Sequence, residues 1–313
     1  MAITKPIITS APPITLWQDY LQLCKPKVVA MLLITAFIGM QLAYPNFSDL
    51  TAFSSLLTML IALIGIGCAA SAAAVINHVV DVNIDALMQR TKKRPMVNGR
   101  VSIKNAVCFA TFLATLAMAL LSIYVNALTA VLTFFGIIGY AFIYTMYLKH
   151  RTPQNIVIGG LSGALPPLLG WTSITNSIDI NGTLLLLIIF VWTPAHFWAL
   201  AIDRVDDYKK ANVPMLPVVK GIAYTKNAIV VYACLTLGAS VLPYVTGLSG
   251  IVYLSCAIAC GTWYLSLCLR LKYDATNRSA KPCFYASINY LLALFIALLV
   301  DHYFLLLQIH LST

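Results

Sequence analysis

The chain has 313 residues, of which 60% are hydrophobic and only 10% charged, and its mean hydropathy is +0.87. A water-soluble domain of this size needs a charged coat, so it is excluded. Several apolar runs reach the ~20 residues that cross a bilayer as a helix, which excludes a β-barrel of short alternating strands. The net charge of +10 is divided among short gaps between apolar runs, with no basic domain, so a nucleic-acid-binding module is excluded as well.

The predicted class is an all-α polytopic membrane protein, one membrane domain over 1–313 in which nine transmembrane helices pack as a bundle in the lipid bilayer. Residues 1–26 form an N-terminal segment. It has neither the short apolar core with an A-x-A site of a cleaved signal nor the Arg content of an organelle transit peptide. Span one is predicted at 27–45, with Lys5, Lys25 and Lys27 before it or at its start.

Span two, 53–80, leads into Asn77-x3-Asp81-x3-Asp85, followed by Arg90, Lys92, Lys93 and Arg94. With Asn77 at zero on a helix, Asp81 falls at about 40°, Asp85 at about 80° and His78 at about 100°. Four polar groups therefore share one face, while Asn83 points away. A membrane carboxylate costs ~2.5–3.5 kcal/mol at mid-span and less at the interface, and two on one face repel each other. A divalent cation relieves both penalties. Oxygen-only ligands suit Mg²⁺, which joins one or two carboxylates to substrate phosphates. Arg90, Lys93 and Arg94 would neutralise the remaining phosphate oxygens, Arg by paired hydrogen bonds. The pattern points to a metal-bridged polyanion site with Asn77, Asp81 and Asp85 as ligands.

Spans three and four, 103–124 and 127–148, precede Lys149, His150 and Arg151, with Tyr144 and Tyr147 near the mouth. Span five, 154–174, contains Gly159-Gly160-Leu161-Ser162-Gly163-Ala164-Leu165-Pro166-Pro167. Two readings stand for it: small residues that let helices approach closely, or a Pro-induced kink that opens a cavity. Span six, 182–203, holds Trp192, Pro194, His196 and Trp198 and runs into Asp203-Arg204-Val205-Asp206-Asp207-Tyr208. Trp192, His196, Asp203 and Asp207 form one stripe if the helix continues without a large turn, and a second acid pair facing the first would complete a two-metal clamp. The Pro-rich stretch 212–219 reads either as a cap or as a plain loop. Spans seven to nine are placed at 226–246, 249–270 and 284–308. His150, His302 and His310 read as ordinary contacts. For His78 and His196 both a helix contact and a substrate contact stand, the latter including axial contact to a haem-like iron.

The gaps after spans one, three, five and seven contain no Lys or Arg; all twenty bases lie on the other side. This asymmetry predicts a cytoplasmic N-terminus, a periplasmic C-terminus and a bacterial inner membrane location. Loops 81–102 and 204–225, each after an even-numbered span and each opening on Asp, are expected to cap the site from the cytoplasm, and their pairing hints at a weak internal duplication. The eight cysteines lie mostly in or beside apolar runs with no CxxC pair, and read as small buried hydrophobes. A transporter would carry its acids near mid-bilayer on broken helices; here they stand at span ends on one side.

The sequence resembles the UbiA superfamily of intramembrane prenyltransferases, whose first Asp-rich motif matches Asn77-x3-Asp81-x3-Asp85. Within it the chain is similar to the protohaem IX farnesyltransferases (haem O synthases). The similarity is carried by Asn77 to Pro95, Tyr144 to Lys149, Arg151 to Asn155, Gly159 to Trp171, and His196 to Val219. The resemblance implies farnesyl diphosphate and haem B as substrates, haem O and diphosphate as products, and Mg²⁺ as cofactor. It leaves prenylation of an aromatic acid or quinone precursor as the alternative, and leaves open a haem A synthase or a terminal oxidase as partner. In the resembled family an apolar residue stands where Asp203 stands, and Arg204 with Asp207-Tyr208 is the recurrent polar set. Asp207 is therefore the preferred second metal ligand, ahead of Asp203 and Asp206. The implied assignment makes Asn77, Asp81, Asp85 and Asp207 catalytic. Arg90, Lys93, Arg94, Lys149, Arg204, Tyr144, Tyr147, Tyr208, His78 and His196 are the substrate contacts.

Overall fold

The computed structural model describes residues 16–312. Lys5 and the rest of 1–15, within the expected N-terminal segment, lie outside the described residues, as does the side chain of His310. The chain is a bundle of helices: α1 (Trp17–Leu23), α2 (Pro26–Leu42), α3 (Phe47–Thr51), α4 (Phe53–Leu87), α5 (Ile103–Tyr124), α6 (Ala127–Arg151), α7 (Asn155–Thr175), α8 (Ile180–Asp203), α9 (Val205–Lys210), α10 (Leu216–Val219), α11 (Ile222–Val245), α12 (Ile251–Tyr273) and α13 (Ala280–Ser312). Eight of these are long and apolar enough to cross a membrane, and α1 with α2, bent by 54° at their junction, makes a ninth. The 17 residues of α2 reach only about 26 Å at 1.5 Å per residue, just short of a ~30 Å hydrocarbon core. The expected nine-helix count therefore holds once the bent pair is taken as one span.

At the end of the bundle that carries the bases, helices outrun their apolar stretches. The second span was expected to stop at 80, but α4 continues to Leu87; α11 and α13 begin about a turn before 226 and 284. Hydropathy marks the edge of the lipid slab, whereas Asp, Lys and Asn stay helical beyond it. The 81–102 loop expected to start at Asp81 is thus shortened to 88–102, and both acids of the first motif are helical.

The opposite end is closed by short, capped turns. Asn126 caps α6 by accepting from Thr129 N–H at 2.8 Å and donates to the Thr172 carbonyl at 2.9 Å. Asp179 caps α8 through Gly182 N–H at 3.0 Å and accepts from Trp171 Nε1 at 2.8 Å. Asp301, buried on α13, accepts from Gly250 N–H and from Tyr253 N–H at 3.1 Å, and so caps α12 from another helix.

Of the two readings of the Gly/Pro span, close approach is realised. A Cβ on Gly170 would lie 2.0 Å from the Ala36 carbonyl oxygen, and one on Gly39 2.2 Å from that of Pro167. The backbones of α2 and α7 touch, and α7 stays helical through Pro166 and Pro167. One core joins α7, α8, α11, α12 and α13 around Leu185, Ile188, Ile229, Tyr264 and Phe295; another joins α2, α4, α5 and α7 around Ala36, Met40, Ile66 and Leu121. Phe112, Phe135, Val231 and Ile258 stand outward, as expected where the solvent is lipid.

Candidate active site

The predicted polar face of α4 is present and turned inward. Asn77, His78, Asp81 and Asp85 are all buried, while Asn83 is exposed. Asn77 Nδ2 donates to Asp81 Oδ2 at 2.7 Å and to Thr145 Oγ1 at 3.3 Å. Asp81 Oδ2 also accepts from Lys149 Nζ at 2.5 Å, and Asp85 Oδ2 from Arg94 at 2.5 Å. Asp81 Oδ1 and both ring nitrogens of His78 are buried without a hydrogen-bond partner among the described residues. Leaving such atoms unpaired costs about 1–3 kcal/mol each, so they mark places where a ligand belongs.

Lys149 reaches this face because α6 changes its winding. Gly139–Leu148 forms a π-helix, in which each N–H bonds five residues back. The Thr145 hydroxyl follows the same spacing, donating to the Tyr140 carbonyl at 2.8 Å. Tyr140 and Tyr144 stack with centroids 5.4 Å apart. Gly159 makes room for that stack, since a Cβ there would lie 2.2 Å from the Tyr144 ring.

The second motif departs from the expected stripe. α8 ends at Asp203; Arg204 leaves helical geometry at φ −115°, ψ 20°, and α9 begins afresh at Val205. The stripe from Trp192 to Asp207 is therefore broken at Arg204. At the break Arg204 lies beside its neighbour Asp203, with Nε 3.1 Å from the carboxylate. Asp203 and Asp206 are exposed, whereas Asp207 and Tyr208 are half-buried. Burial pushes the Tyr208 hydroxyl up, opposed in part by Arg90 and Arg204. Val213, Met215 and Leu216 are buried and belong to the same core as Met88, Ile84 and Tyr208, so the Pro-rich stretch is a packed plug beside the site.

His196 sits deeper on α8. Its ring is stacked between Trp192, at 4.2 Å, and Phe284, at 4.5 Å, and Nδ1 lies 2.6 Å from Ser287 Oγ. The Ser287 hydroxyl also lies 2.6 Å from the Phe284 carbonyl; when it donates there its oxygen accepts from Nδ1–H, the tautomer in which His196 Nε2 carries the lone pair.

The basic residues divide. Arg94 and Lys149 enter the site; Arg90, Lys92 and Lys93 are exposed. Tyr147 is exposed under the Arg151 guanidinium, 4.3 Å from its ring centroid. Sequence reasoning missed Thr145, Tyr140 and Asn155, the last fully buried with an unpartnered Oδ1 and its Nδ2 3.4 Å from the Lys149 carbonyl. Asn155 was visible only as part of the Arg151–Asn155 string. Among the described residues no three His, Cys or Asp side chains gather into a ready-made metal cage. The donor set fits Mg²⁺ in the form that borrows ligands from a substrate phosphate: oxygen atoms, one of them unpaired, with cations alongside.

The fold and this site define a prenyltransferase of the bilayer: residues 32–307 match the UbiA prenyltransferase family, and the chain belongs to it. It is 50% identical over 287 residues to the protoheme IX farnesyltransferase of Hahella chejuensis, covering 92% of this chain and 94% of that one. Protoheme IX farnesyltransferase 2 of Pseudoalteromonas atlantica is 51% identical, covering 92% of each chain. That of Legionella pneumophila is 50% identical, covering 92% and 96%. The fold is shared with a structure of digeranylgeranylglyceryl phosphate synthase (TM-score 0.76, 19% identity, 91% and 98% covered). It is shared too with a UbiA homolog from Archaeoglobus fulgidus bound to GPP and Mg²⁺ (TM-score 0.62, 15% identity, 90% and 99% covered).

Proposed function

We propose that this protein transfers the farnesyl group of farnesyl diphosphate to a vinyl group of haem B, giving haem O and diphosphate. The observation that carries the reading is a buried pair of carboxylates, Asp81 and Asp85, each held by its own cation at 2.5 Å, in a chain half identical to protoheme IX farnesyltransferases along 92% of its length. Asp81, Asp85 and Asn77 would hold Mg²⁺, with Asp207 as the candidate for a second ion. When bound, Mg²⁺ supplies neutralising charge to the diphosphate leaving group. Lys149 and Arg94 exchange their carboxylates for phosphate oxygens, so that the allylic C–O bond ionises. Tyr140 and Tyr144 present π faces to the allyl cation, worth ~0.5–2 kcal/mol each. The packed plug at 213–216 keeps bulk water away. The haem vinyl group then attacks the farnesyl carbon, and water adds to the resulting porphyrin-side cation with loss of a proton.

His78 and His196 are the candidate contacts for haem, His196 through Nε2. The exposed Arg90 and Lys93 and the half-buried Arg204 draw anionic substrate to the mouth, and Tyr208 lines it. The one-sided distribution of bases supports a mouth at the cytoplasmic face of a bacterial inner membrane, with the C-terminus periplasmic. The product would pass to a haem A synthase or a terminal oxidase in the same membrane. The test is an assay of the purified protein in lipid with haem B, farnesyl diphosphate and Mg²⁺, with and without chelator. Chelator-sensitive haem O by mass detection is expected; no haem O, with prenylation of an aromatic acid instead, would overturn the reading.

A further inference from the structure

We infer that Lys25 is a further diphosphate-binding residue of this site, one that holds Asn77 until substrate arrives and then pairs with a phosphate oxygen. The inference rests on the farnesyl diphosphate reading above. Lys25 Nζ lies 2.5 Å from Asn77 Oδ1, the only acceptor atom of that amide. Metal ligation by Asn77 needs the same oxygen, and an ammonium and a divalent cation on one amide oxygen repel each other. Binding of a metal–diphosphate therefore displaces Lys25. The acceptor it then meets is the diphosphate itself, because Asp81 and Asp85, which pair with Lys149 and Arg94 before substrate binds, would by then hold the metal. All four of those groups lie within electrostatic reach of Lys25.

The backbone gives an independent reason. Lys25 occupies the left-handed region, φ 54° and ψ 58°, directly before Pro26 and at the 54° bend between α1 and α2. A lysine gains nothing from that conformation, which glycine adopts without strain; strain of this kind persists where it serves a site. Here it turns the side chain inward. Lys27, two residues on, is exposed and behaves as an ordinary interfacial charge. The bend is held from outside by Asp19, paired with Arg100 at 3.1 Å, and by Tyr20 against Phe109 at 5.1 Å.

The experiment uses the full chain in lipid nanodiscs and a non-transferable probe, farnesyl thiodiphosphate with Mg²⁺, read by calorimetry. Haem B binding is read separately by Soret titration, and thermal stability alongside. Lys25→Met and Lys25→Gly should each weaken binding of the probe by about 10- to 100-fold, the range of one charge-assisted hydrogen bond. Haem B affinity should not move, and Lys25→Gly should melt no lower than wild type because its backbone is relieved. Lys25→Arg should retain part of the affinity, and Lys27→Met should match wild type. Wild-type affinity in both Lys25→Met and Lys25→Gly, while Asp81→Asn abolishes Mg²⁺-dependent binding, would overturn the inference and leave the wider reading standing. Loss of haem B affinity in place of probe affinity would overturn it too, by assigning Lys25 to a haem carboxylate. If the wild-type protein itself binds no probe with Mg²⁺, the farnesyl diphosphate reading fails and this inference falls with it.

Discussion

Replacing Asp81 with Asn separates what the carboxylate does for chemistry from what it does for the fold. Its side chain is 3% exposed and that of Lys149 14%, with 2.5 Å between Oδ2 and Nζ. Removing one member of a buried ion pair strands the other and costs about 3–5 kcal/mol. The residual exposure of Lys149 puts the expected loss in Asp81→Asn near the lower end, about 3 kcal/mol. Adding Lys149→Met removes the stranded charge and should restore most of that stability. Activity should behave otherwise. Loss of a metal ligand and of about 4 kcal/mol of transition-state stabilisation lowers the rate on the order of 1,000-fold, and the second substitution cannot return it. Thermal melts of both variants in lipid, with haem O quantified by mass detection per folded molecule, check the two expectations together. Full haem O formation by Asp81→Asn would refute the metal-ligand role. Recovery of activity in the double variant would show that Asp81 serves only to neutralise Lys149.

Three further outcomes follow from the packing. Gly170→Ala would set a methyl group 2.0 Å from the Ala36 carbonyl, while a Cβ on Gly163 in the same helix meets nothing within 4 Å. The first should lose folded protein on size-exclusion chromatography and the second should melt at or above wild type, by about 1 kcal/mol of helix propensity; equal behaviour would contradict the α2–α7 backbone contact. Asp301→Leu strips Gly250 and Tyr253 of their shared acceptor and should cost about 1–3 kcal/mol, with turnover per folded molecule unchanged; an unaltered melting curve would count against the cap. Ser287→Ala frees the tautomer of His196 and should weaken haem B binding about 10-fold or more, seen as a Soret titration shift with no loss of probe binding; an identical titration would leave His196 a packing residue.

Much of this molecule was legible in its residues. The alternation of apolar runs with basic gaps gives the nine spans, and the 100° step of a helix places Asn77, His78, Asp81 and Asp85 on one inward face. The misses have physical causes. The stripe from Trp192 to Asp207 assumed an unbroken helix, and nothing in Asp203-Arg204 announces that the helix will break there. The change of winding at Gly139–Leu148 leaves no trace in composition, so the inward approach of Lys149 could be guessed only from the resemblance. Lys25 was hidden among bases whose presence orientation alone explains. Ser287 lies 91 residues from His196, a distance no spacing rule spans. Asp301, a single acid in an apolar run, carried no motif to single it out.

The ten π-wound residues of α6 make the site depend on a count as well as on identities. Excising one residue between Gly139 and Tyr144 would leave every acid, base and tyrosine of the chemistry in the gene. Yet it would take out the residue that the wider turns accommodate, so the segment would have to rewind and the approach of Lys149 to Asp81 would no longer be assured by the sequence that remains. Length within this short stretch is thus a setting in its own right, and a comparison of natural or designed variants that scores only substitutions would overlook it.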